Sequence, residues 1–150
     1  MITYDRLADL AALEGRVIGT SGWVDVDQAR IDQFAQATGD RQWIHVDPAR
    51  AAAGPFGATV AHGFLTLSLL SRLFAAAVSF EDVRLSLNYG LNRVRFPSPV
   101  PVGSRLRALC VLQSYEPMAG GAQVTVTVTI EREGGAKPAC VAEWVTRHFT

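Results

Sequence analysis

Residues 60–78, "VAHGFLTLSLLSRLFAAAV", constrain the fold more than any other stretch. They are apolar almost all round a helical wheel. A helix without a polar face needs other elements wrapped about it. His62, Arg72 and several hydroxyls interrupt the run, which favours a buried helix over a membrane span. The pattern then changes period. "VRLSLNYGLNRVRF", "SRLRALCVLQSY", "AQVTVTVTIERE" and "PACVAEWVTRHF" alternate with period two. Val124, Val126, Val128 and Ile130 share one face of the third segment, and Thr125, Thr127 and Thr129 the other. The connections between segments are rich in Gly and Pro. Such a series predicts long antiparallel strands. The expected class is α+β: an antiparallel sheet wrapped around one long central helix, in a single domain over residues 1–150.

Upstream, Asp27 is a predicted N-cap. Val26 and Ile31 have the spacing of a hydrophobic staple, and Ile31, Phe34, Ala35 and Thr38 line one helical face. Gly39 suits the left-handed C-cap, so the helix ends there and Asp40 opens a loop. Asp47-Pro48 predicts a second N-cap with Pro in the first turn, starting a short helix that reaches about Ala53.

Equal counts of basic and acidic side chains argue against a long nucleic acid as partner. Cys110 and Cys140 lack any metal-like spacing and are expected to be free, buried thiols. His45, His62 and His148 show no ligand spacing either, so no metal or other cofactor is expected. Ser68 and Ser71, inside the central helix, have no base nearby in sequence to make them nucleophiles. The amino-terminal segment does not look like a signal peptide, and the expected location is cytoplasmic.

"ATGDRQWIH" followed by "VAHGFLTLSLL" carries a resemblance. Together with "LNYGLNRVRFPSPVPVGSRLR", it resembles the MaoC-like, R-specific enoyl-CoA hydratase group of hot-dog proteins, from about Trp23 to the end. Gly39, Asp40 and His45 match the group's signature. Gln42 and Trp43 stand where many members have Asn and Pro. The resemblance implies a hot-dog fold and a hydro-lyase that adds water to 2-enoyl thioesters or removes it from 3-hydroxyacyl thioesters. It assigns the reacting water to Asp40 and His45, and the thioester oxygen to the backbone N–H of Gly63. It implies substrate contacts from Gln42, His62, Asn88, Arg95, Pro97 and Ser98, an acyl-CoA or acyl carrier protein substrate, and a homodimer.

The residues themselves allow plainer readings. Asp40 also serves as a loop residue after a helix, and His45 as a buried structural histidine. The Asn residues near Gly90 also suit a bulge, and Arg93, Arg95, Arg105 and Arg107 a solvent face. Two rival functions remain: a hot-dog thioesterase, and a non-catalytic acyl-CoA-binding or partner subunit of a dehydratase.

Overall fold

The computed structural model describes residues 1–150. Asp27 caps helix α1 (Gln28–Thr38), its carboxylate accepting from Arg30 N–H at 2.9 Å. Gly39 ends the helix with φ 78°, a left-handed conformation that a residue without Cβ adopts at no steric cost. Asp47 caps α3 (Pro48–Ala52) by accepting from Arg50 N–H. Between them lies a helical turn, α2 (Trp43–Val46), which the sequence pattern does not announce. Helix α4 (Gly63–Ala77) is the predicted central helix.

The short strands β1 (Ile2–Tyr4), β2 (Val17–Thr20) and β3 (Val24–Val26) come first, with a 3-10 turn over Leu7–Ala12. β4 (Val78–Phe80) follows α4 directly and pairs with β1 in parallel. The four predicted long strands are β5 (Leu85–Arg95), β6 (Ser104–Met118), β7 (Gly121–Arg132) and β8 (Cys140–Phe149). They form an antiparallel sheet in the order β2-β6-β7-β8-β5, with β3 also on β6. The register of β5 on β8 shifts between Asn88 and Gly90, the bulge expected at that glycine. This is the hot-dog architecture.

Val124, Val126, Val128 and Ile130 are fully buried, as their alternation predicts. They pack with Leu106, Ala108 and Leu112 of β6 and with Leu65, Leu69, Leu73 and Phe74 of α4. Burying such aliphatic side chains stabilises the fold by about 1.5–3 kcal/mol each. Cys110 and Cys140 are free and buried, and burial pushes their thiols up to about 12 and about 11.

The helix is not wrapped all round. Phe64, Ser71, Arg72 and Ala75 are exposed, leaving one flank of α4 open. The sheet curls over the opposite flank, and its edge strand β5 only approaches the open one. No helix is long and apolar enough to cross a membrane.

Candidate active site at the start of the central helix

The loop that leads into α4 is held from two sides. Val60 N–H donates to Ile44 O at 3.0 Å, and Ala61 N–H donates to Val100 O at 2.8 Å. His62 is therefore delivered in a fixed place, one residue before the helix. No side chain caps α4, so its first-turn N–H groups have no capping acceptor. Those donors and the helix dipole favour a developing negative charge at Gly63. A Cβ placed on Gly63 would lie 3.4 Å from the Phe96 ring, so glycine keeps the approach to this backbone open.

His45 reaches the same spot because residues 43–46 close a helical turn. His45 N–H donates to Gln42 O, and Asp47 N–H donates to Trp43 O. The sequence reads a loop from Asp40 onward; within it the structure forms a hydrogen-bonded turn. His45 is buried, and its Nδ1 donates to Val60 O at 2.6 Å. A carbonyl only accepts, so Nδ1 carries the proton and Nε2 of the neutral ring has a free lone pair. Burial, first, lowers the His45 pKa below its ordinary 6.5; the neighbouring His62 adds to this, while the Val60 bond and Asp40 oppose it. The net effect keeps the ring neutral near pH 7.

His62 is equally buried. Its Nε2 donates to the backbone carbonyl of Asp40 at 2.9 Å, which leaves Nδ1 as an acceptor with no hydrogen-bond partner in the chain. The His62 ring stacks on that of His45 and tilts against Phe34. Asp40 is exposed, with its carboxylate within reach of both rings: one oxygen or nitrogen from each of Asp40, His45 and His62 lies within 4.8 Å of the others. Linear spacing gave no hint of this three-residue group, which is also the set of side chains available to a metal ion. The rings of His45 and His62 are stacked, 3.7 Å between centroids and 25° between planes. That geometry suits a shared water beside the carboxylate.

Gln28 is a contributor that sequence reasoning missed. Its amide donates to His45 O at 2.8 Å and to Asp32, and its carbonyl accepts from Thr59 Oγ1. It thus ties α1, α2 and the loop before α4 together. Nothing in the primary structure marks it, since it only follows the N-cap of a helix.

The other expected contacts divide. Gln42 begins α2, and its N–H approaches the Asp40 carboxylate at 3.4 Å. Trp43 faces away from His45, two positions along a helical turn; it lies under Arg50 and against Gly54. Its indole therefore sits on α3 rather than on the Asp40–His45 side. Asn88 accepts from Trp144 Nε1 and lines the space between α4 and β5. Arg95 alternates with Phe96. Phe96 meets Gly63, so Arg95 lies on the other face, with Arg93, Thr127 and Glu143. Pro97 is exposed in the connection to β6. Ser98 donates to the carbonyls of Lys137 and Pro138, which ties that connection to the β7–β8 hairpin. The structure does not gather Arg95 or Ser98 with the histidines.

A groove lies further along the same helix. β5 runs alongside α4 in the opposite sense, Phe96 near Gly63 and Asn88 near Ser71. Two adjoining cavities of about 420 and 390 Å³ follow the open flank of the helix and share Ser71, Asn88 and Trp144.

Residues 9–134 match the family described as MaoC like domain. The chain is 56% identical over 149 residues to 3-hydroxyacyl-thioester dehydratase Z of Mycobacterium tuberculosis, covering 99% of each. It is 50% identical over 145 residues to Nodulation protein N of Rhizobium leguminosarum bv. viciae, covering 93% of this chain and 89% of the relative. Among solved structures it is similar to the (R)-hydratase from A. caviae involved in PHA biosynthesis. There the TM-score is 0.70 at 26% identity, covering 87% of this chain and 95% of that one.

Proposed function

The chain belongs to the family of MaoC-like domains, and from that premise we propose that it is an R-specific hydratase of trans-2-enoyl thioesters, equally a dehydratase of (R)-3-hydroxyacyl thioesters. It is a hydro-lyase of the dehydratase–hydratase type, as a relative 56% identical over nearly its whole length supports. The R specificity and the enoyl thioester are the finer reading, supported by the likeness to an (R)-hydratase.

One observation carries the proposal: Asp40 and His45 converge beside the uncapped start of α4. The carboxylate and the free Nε2 lone pair hold one water between them. As the water oxygen bonds to the β-carbon, the pair takes a proton from it. Electrons of the double bond move toward the thioester oxygen, which Gly63 N–H and the helix dipole stabilise. The pair then delivers a proton to the α-carbon, so the net change is addition of water across the double bond. His62 acts through Asp40 and His45 as a positioning residue. No other group is required by this sequence of steps. The pantetheine arm is carried by coenzyme A or by an acyl carrier protein.

The protein works as a homodimer in this reading. β5 is hydrogen-bonded only to β8, so the backbone groups of its other edge are unpaired, and Leu85, Leu87, Tyr89 and Leu91 along the strand are each more than two-fifths exposed. Such an edge needs covering, and a second copy offers the same edge in return.

Crotonyl-CoA hydration with chiral analysis of the 3-hydroxy product tests the assignment. Asp40→Asn should lower turnover by about 10²–10⁴-fold. A folded Asp40→Asn protein with the wild-type rate would remove the basis of the proposal.

A further inference from the structure

The groove along α4 is apolar over most of its length, yet its far end is not. There β5 and β8 bring Ser86, Thr146 and His148 together around the cavity of about 390 Å³ that Phe74, Phe80 and Trp144 also line. His148 is buried, and both of its ring nitrogens are engaged: Nδ1 with Ser86 Oγ and Nε2 with Thr146 Oγ1, each at 2.8 Å. The direction of every proton in this chain follows from its last member. Thr146 Oγ1 also lies 3.3 Å from Val124 O, which only accepts, so the arrangement that satisfies all three bonds has Thr146 donating there. With its proton spent there, the Thr146 oxygen accepts from His148 Nε2–H. Nδ1 is then the unprotonated nitrogen and accepts from the Ser86 hydroxyl. Burial keeps the ring neutral, its pKa held down to about 4, so this arrangement persists across the physiological range.

Ser86 is exposed to the cavity. Its proton is committed inward, so what it offers to the cavity is oxygen lone pairs. A purely hydrocarbon chain makes no use of such an acceptor. A hydroxyl group on the chain does.

We propose that Ser86, oriented by His148 and Thr146, selects enoyl or 3-hydroxyacyl thioesters whose acyl chain carries a hydroxyl group near its distal end. This rests on the function proposed above, which places the thioester carbonyl at Gly63. The strand that borders that point leads to the far end: Phe96 lies against Gly63, and Leu91, Asn88 and Ser86 of the same strand line the two cavities in turn. From Gly63 to Ser71 and Ala75 the helix advances about 12–18 Å, the reach of a medium-length acyl chain.

The test compares the kcat/KM of the dimeric wild-type protein on three series of trans-2-enoyl-CoA, from octenoyl to tetradecenoyl. One series has a plain alkyl end, one a terminal hydroxyl, and one a terminal methoxy group, which accepts but does not donate. A hydroxyl preference of roughly tenfold over both other ends is expected at one or two chain lengths, the effect of one well-placed hydrogen bond. In Ser86→Ala, whose side chain is at the surface, the ratio of hydroxyl to plain substrate should fall to near one. Equal ratios for all ends in the wild type, a methoxy chain used as well as the hydroxyl chain, or a ratio untouched by Ser86→Ala would each overturn the proposal while leaving the hydratase reading intact. Absence of hydration on every series, crotonyl-CoA included, would overturn both.

Discussion

The imidazoles of His45 and His62 lie face to face, 3.7 Å between centroids, at the entrance to the central helix. Two stacked rings with little solvent cannot both carry charge cheaply. Burial and the neighbouring ring hold the His45 pKa below 6.5, so the neutral form is the one present at neutral pH. A base with a lowered pKa stays unprotonated further into acid. The acidic limb of kcat/KM should therefore fall below pH 6.5. In His62→Ala, relief of burial and of ring–ring repulsion both raise the His45 pKa, so the limb should move up. A pH profile of kcat/KM for both proteins checks this, and a His62→Ala limb shifted to lower pH would contradict it.

Gln28 bonds to His45 O, Asp32 and Thr59 without touching the place where substrate would react. Gln28→Leu strips three hydrogen bonds and leaves a carbonyl and a hydroxyl without their partner. The expected loss of stability is about 1–3 kcal/mol. Gln28 positions α2, so kcat should fall severalfold with KM little changed. Gln28→Glu keeps only the Thr59 bond and sets an acceptor against Asp32 and His45 O, so it should recover neither stability nor kcat. Denaturant melts beside steady-state kinetics separate the two effects, and a Gln28→Leu protein that loses stability at unchanged kcat would mean a merely structural role.

Reading the chain as text succeeds where the determinants are local. The strand faces of β7 and the caps of α1 and α3 depend on neighbours a few positions away, and they are found as expected. Asp40 and His45 were legible as candidates because a family motif and a helix-ending glycine frame them. The turn that holds His45 was not. Trp43–Val46 is short and rich in bulky and β-branched residues, and it is secured by bonds to Val60 and Gln28 that no local pattern encodes. The Ser86–His148 contact joins positions 62 apart through strand pairing. The open flank of α4 escaped notice for a related reason: hydrophobic periodicity reports which residues avoid water, and it does not distinguish a core from a groove.

The free edge of β5 predicts a self-associating protein. Light scattering should give twice the chain mass, independent of concentration in the micromolar range. Placing charge on the edge with Tyr89→Asp and Leu91→Asp together should yield monomer, because two such edges would then meet with like charges opposed. A wild-type protein that runs as monomer at every concentration would refute the edge-pairing reading.

His148 ties stability to acid. In the folded protein burial holds its pKa down to about 4, against 6.5 for an unhindered histidine. Between these values the unfolded chain binds a proton that the folded chain refuses. The stabilisation is therefore complete above pH 6.5 and is lost as pH falls through that window toward 4. At 1.36 kcal/mol per pKa unit the span is about 3 kcal/mol. His45 is depressed as well and contributes in the same direction. His148→Gln removes only the His148 share. Urea midpoints measured from pH 7 to pH 4.5 should thus fall steeply for wild type and less steeply for His148→Gln, even though the variant starts lower at pH 7 through lost contacts with Ser86 and Thr146. Identical slopes would mean that His148 takes up its proton without unfolding, and that the Ser86 bond does not hold the neutral ring in place.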